Sequence, residues 1–177
     1  MPLNSDQLLA VFQHPVLTKI IGEPNLTRIT LQQSEHNRNL ASIKSNLGNG
    51  LTGLMVLSMK PDIFKTIHPD AFEIPTNPVP APDPAVIAAA STVTKISDIY
   101  KAYALESAIY AEYVTAERIS VKLALDSMSE LYYNAFKNTY TGYASVTLRQ
   151  ILDHLVTTYA AIYQFDLEKS GKHDGSL

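Results

Sequence analysis

Five histidines, His14, His36, His68, His154 and His173, are the side chains best suited to proton transfer near neutral pH or to metal ligation. Their spacing serves neither. No two stand at an i, i+4 interval, and no His-Glu-x-x-His occurs, so no helix face is expected to present two imidazoles to one ion. Asp153 and His154 are neighbours in sequence but project from different sides of a helix, and His154 reads as a surface or boundary residue. Glu106, Glu112, Glu117 and Asp126 lie along one long helical stretch without the Glu-x-x-His pairs that a di-metal bundle needs, and are expected on solvated faces. No Gly-x-Ser-x-Gly elbow exposes a serine nucleophile. Gly48-Asn49-Gly50 lacks the lysine-serine pair and helix start of a phosphate loop and reads as a turn. The chain has no cysteine, which removes disulfides, thiolate metal sites and cysteine nucleophiles together. No catalytic, cofactor-binding or metal residue is nominated, and an enzyme is not expected. The ten tyrosines are the unusual element. Tyr132, Tyr133, Tyr140, Tyr143, Tyr159 and Tyr163 gather around the last two helical segments and read as packing residues with a polar tip, at a boundary or a protein interface.

The elements that hold these residues read as helices. Ala85 to Thr141 contains neither glycine nor proline, the residues that most readily interrupt a helix. Asp83-Pro84 is a helix start, a capping carboxylate with proline at the first position. Val93, Ile96, Tyr100, Tyr103, Tyr110, Val114 and Val121 come next in steps of three and four, interrupted at Ser107 and Glu117, a seam that asks for a partner helix. A helix of some forty residues would measure about 60 Å, too long for a compact domain of this size. A kink or break is therefore expected near Asp126-Ser127, with Ser127 or Ser129 capping a new segment through Leu131 and Phe136. Asn138 to Tyr143, with Gly142, reads as the turn after it. Thr147 and Gln150 then form a capping box for a last helix to about Ala160, whose apolar face is Leu148, Ile151, Leu152, Leu155, Val156 and Tyr159.

Earlier in the chain the signals are shorter. Ser5 is expected to cap a helix that ends before Pro15. Asn25 is expected to cap a second, closed by Gly48, whose polar middle from Gln32 to Asn39 is exposed or broken. Leu54 to Leu57 is too short to assign. Pro61 starts a short helix with Ile63, Phe64 and Ile67. Pro69, Pro75, Pro78, Pro80, Pro82 and Pro84 make residues 68–84 an extended connector, since no flanking arginine or lysine supports ligand-type recognition.

A chain of 177 residues with 46% hydrophobic side chains suits one ordinary folded domain. A net charge of −3 provides no basic face for nucleic acid or an anionic membrane. No apolar run is long enough to span a bilayer, and Met1 to Ala10 lacks the pattern of a secretory signal. A cytoplasmic setting is expected.

Leu131-Tyr132-Tyr133-Asn134-Ala135-Phe136-Lys137-Asn138, then Gly142-Tyr143, then Thr147 to Tyr159 resembles the Gag polyproteins of copia-type LTR retrotransposons. There a segment of the form YL-AL-N--TG precedes a capped helix of the form T--EIL-HL--TYG and a short acidic stretch. Phe165-Asp166-Leu167-Glu168-Lys169 occupies that last place. Thr18-Lys19-Ile20-Ile21-Gly22-Glu23-Pro24 looks like the family's entry to its first main helix, and Gly48-Asn49-Gly50 before Leu54 to Leu57 like its glycine-rich turn. The likeness spans most of Leu17 to Lys169. It implies an all-helical, capsid-like region, chiefly its N-terminal part, that assembles with copies of itself. Ala160 replaces the family's glycine, so the last helix is expected to run on. The chain stops before the family's second helical half and zinc knuckle, so RNA packaging is not implied.

Together these readings give an all-α, multi-helix bundle with one long, kinked or broken helix and a proline-rich connector. Residues 1–24 are expected to form a short helix and loop, 25–169 the capsid-like domain, and 170–177 a flexible tail. The expected function is self-assembly through protein–protein contacts, with the chain itself as partner and without cofactor, metal, nucleic acid, membrane or small molecule. The alternative is a helical adaptor that binds a partner helix or peptide without assembling.

Overall fold

The computed structural model describes residues 3–45, 52–68, 74–80 and 93–160. Their architecture is all-α, with five α-helices among the described residues: α1 (Ser5–Val11), α2 (Leu26–Ala41), α3 (Pro61–Ile67), α4 (Val93–Asp126) and α5 (Leu148–Leu155). The described residues form no strand; the closest approach to one is an isolated antiparallel bridge between Asn138 and Gly142. Helix α4 packs on α1, α2 and α5, and this assembly encloses the core. Leu8, Ile29, Leu40, Ile43, Leu54 and the α5 residues Leu148, Ile151, Leu152 and Leu155 are almost wholly buried there.

Local chemistry sets the helix ends. Asn4, not Ser5, caps α1: its side chain accepts from the Gln7 amide while the Gln7 side chain accepts from the Asn4 amide. Both residue types can cap a helix, but only Asn4 has a glutamine three residues on. Asn25 caps α2 as expected, accepting from the Arg28 amide at 3.0 Å. That helix stops at Ala41, well before Gly48, which lies outside the described residues. Ser42 closes it, and Gly53, with a φ of +51°, lets the returning chain approach the end of α2 closely. The Leu54 amide then donates to the Leu40 carbonyl at 3.0 Å. Met55–Leu57 forms one 3₁₀ turn, and Pro61 occupies the first turn of α3, where only Phe64 is buried.

The polar middle of α2 is unbroken, and one face of it is buried, with Arg38 exposed on the other. Gln32, Glu35, His36 and Asn39 are buried on one continuous helix. Three of them hold the extended segment between His14 and Ile20, whose backbone groups have no helix or sheet of their own to satisfy them. Asn39 accepts from the His14 amide at 2.7 Å and donates to the His14 carbonyl at 2.8 Å. Glu35 accepts from the Thr18 amide at 2.9 Å and the Thr18 hydroxyl at 2.5 Å. Gln32 donates to the Thr18 carbonyl at 3.0 Å and to Ser127 Oγ at 2.7 Å. The Ile20 amide donates to the Ser127 carbonyl at 2.8 Å, so the same segment is tied to the end of α4.

Helix α4 has 34 residues, a length of about 51 Å. It ends at Asp126, at the expected break. Two 3₁₀ turns, Glu130–Tyr132 and Asn134–Phe136, come after it in place of a new α-helix. Ser129 caps the first of them, accepting from the Leu131 amide at 3.4 Å. Of the described side chains of the sequence seam, only Val121 is buried; Ile96, Tyr100, Tyr103, Tyr110 and Val114 are half-buried. Thr147 and Gln150 close the capping box of α5, and its four core residues are each 0% exposed. The helix runs on past Leu155 as a π-type turn, Val156–Ala160, so its last described residue is Ala160. Residues 74–80 of the connector are irregular and mostly exposed, while Asp83-Pro84 and the segment from Phe165 lie outside the described residues.

Candidate association surfaces

No group of three or more His, Asp or Glu side chains among the described residues is placed to hold a metal ion. His14 takes part through its backbone, held by Asn39. His68 stacks on Phe64 with ring centroids 5.6 Å apart. His154 sits at a boundary, edge-on to Phe136 at 5.0 Å and within 3.2 Å of the Thr158 hydroxyl through Nδ1. His36 is different: it is 0% exposed and neither ring nitrogen has a hydrogen-bond partner among the described residues. Burial lowers its pKa from 6.5 to about 4, which keeps the ring neutral at physiological pH.

The carboxylates of α4 do not all occupy solvated faces. Glu106 and Asp126 are exposed, and Asp126 pairs with Lys122 at 3.0 Å. Glu117 instead reaches across to α5 and accepts from the Leu148 amide at 2.6 Å, placing a carboxylate at that helix's positive end. Burial raises the pKa of Glu117, and the hydrogen bond from Leu148 opposes the shift. Glu112 is half-buried, and burial raises its pKa as well. The i, i+3 and i, i+4 pattern of α4 hides this, because Glu117 is claimed by an amide 31 residues away.

Four of the tyrosines singled out in the sequence do come together, and they pack. Tyr132 meets Tyr159 edge-on at 5.3 Å, and Tyr133 meets Tyr143 at 5.2 Å. Tyr133 donates its hydroxyl to the Leu125 carbonyl and Tyr143 donates to Glu130. Desolvation and the contact with Glu130 push the Tyr143 phenol up to about 12. Tyr140 stands apart at 95% exposure, and Tyr163 lies outside the described residues.

The surface is shaped around α4. Along the side chains described from 95 to 115 none is buried, and Ile99 and Leu105 are 38% and 62% exposed. Further along, Arg118, Lys122 and Asp126 form a ridge, one turn apart, between two apolar grooves. One groove, of about 480 Å³, lies between α1, the segment Pro15–Lys19 and α4. The other, of about 520 Å³, lies between α4 and the loop from Tyr143 to Thr147. Sequence reading missed both grooves, because their walls come from segments far apart in the chain. No helix among the described residues is long and apolar enough to cross a membrane.

Comparison with known proteins adds no relative: no protein-family model, curated protein or solved structure matches the chain.

Proposed function

We propose that this chain is a self-association module of the capsid or Gag type, acting through helical surfaces and not through bond-making. The observation that carries the reading is the first two-thirds of α4, which presents Ile96, Ile99, Tyr100, Tyr103 and Leu105 without burying any of them. A helix that ends in a packed core but keeps apolar side chains at its surface is suited to meeting another protein surface. The resemblance of Leu17 to Lys169 to copia-type Gag gives that partner as further copies of the chain. The chain's net charge of −3 agrees with a partner that is protein.

Negative-stain electron microscopy at rising concentration and salt tests the reading, on the parent chain and on Ile99→Glu with Leu105→Glu. Discrete large particles from the parent chain, lost in a variant with unchanged circular dichroism, are expected. A parent chain that forms no particles at any condition supports the helical adaptor instead.

A further inference from the structure

The groove between α1 and α4 combines two properties. Its floor and walls are apolar, from Leu9, Val16, Leu17, Ile119 and Leu123, and Val16 is 76% exposed. Its rim is basic. Lys19 and Arg118 stand on opposite walls and make no ion pair or hydrogen bond among the described residues. Lys122 adds a third cation, shared with Asp126. An apolar trough with unneutralised cations on both rims is complementary to a segment that alternates apolar and acidic side chains. Its volume of about 480 Å³ accommodates a few side chains.

The sequence contains such a segment, Phe165-Asp166-Leu167-Glu168, outside the described residues. We infer that the α1–α4 groove receives Phe165-Asp166-Leu167-Glu168 of a neighbouring copy, the two apolar side chains entering the trough and the two carboxylates meeting Lys19 and Arg118. The inference rests on the self-association reading and names one contact by which it is made. A head-to-tail contact of this kind is heterologous, so it propagates from copy to copy or closes into a ring.

The chain has no cysteine, so introduced thiols report single positions. Full-length Val16→Cys and full-length Leu167→Cys are mixed and treated with a short bismaleimide, with Ser176→Cys replacing Leu167→Cys as the control. The expected result is a Val16→Cys to Leu167→Cys dimer at several times the control yield. Lys19→Glu with Arg118→Glu should lower that yield about fivefold or more, and Asp166→Lys with Glu168→Lys in the other chain should restore it. A yield equal to the control, or one insensitive to the charge reversals, overturns the inference. So does a cross-link that forms only within one molecule when both cysteines are placed in the same chain. Light scattering on the untreated mixtures separates the two claims: assemblies without this cross-link leave self-association standing and remove the contact.

Discussion

His36 lies wholly inside the protein with no partner for either ring nitrogen among the described residues, and that burial sets a specific dependence of stability on acid. The ring titrates at 6.5 when solvated and at about 4 when folded. The unfolded chain therefore takes up the proton first as pH falls. Stability is fully present above 6.5 and is lost progressively down to about 4. At about 1.4 kcal/mol per unit, the loss amounts to about 3 kcal/mol. His36→Leu removes the titration and leaves no buried nitrogen without a partner. Glu112 and Glu117, whose pKa values burial raises, act in the opposite sense: their protonation favours the folded chain as pH falls. They are common to both proteins, so they cancel in the comparison. Urea denaturation monitored by circular dichroism at pH 7.5, 6, 5 and 4 should show parent and variant diverging as the pH drops, by about 3 kcal/mol at the lowest value. Parallel stability curves for the two proteins would refute the assignment of that acid sensitivity to His36.

Three further substitutions probe the framework by the same denaturation measurement. Asn39→Ala strands the amide and the carbonyl of His14 and should cost about 2 kcal/mol; a loss below about 0.5 kcal/mol would mean that water replaces both bonds. Gly53→Ala places a methyl 2.5 Å from the Ile43 carbonyl oxygen at a φ of +51°, and a cost of about 2 kcal/mol or more is expected. Glu117→Ala removes the acceptor from the Leu148 amide and should cost about 1 kcal/mol, whereas Glu117→Gln, which keeps an acceptor, should recover most of it.

Much of the helical skeleton is legible in sequence, because capping is local. Asn25, Pro61, and Thr147 with Gln150 mark their helices within a few residues of the observed starts. The end of α4 at Asp126 agrees with a length argument and coincides with the serines that come after it. The polar stripe of α2 misleads for a physical reason. Gln32, Glu35, His36 and Asn39 have the spacing of one helix face, but polar residues on a face are ordinarily solvated. Here the partners are backbone groups of an extended segment containing Pro15, which forms no hydrogen-bonded element of its own. A run of polar residues at core spacing, preceded by a proline-bearing segment, is the signal that marks such an arrangement. The α1–α4 groove has no signal in sequence, since Val16 and Ile119 meet only in the fold.

The mass of the chain in solution bears most directly on the account. Light scattering over a series of concentrations and salts should give a weight-average mass rising well above the 19.5 kDa of one chain. A mass that stays at 19.5 kDa throughout would contradict association as this protein's function.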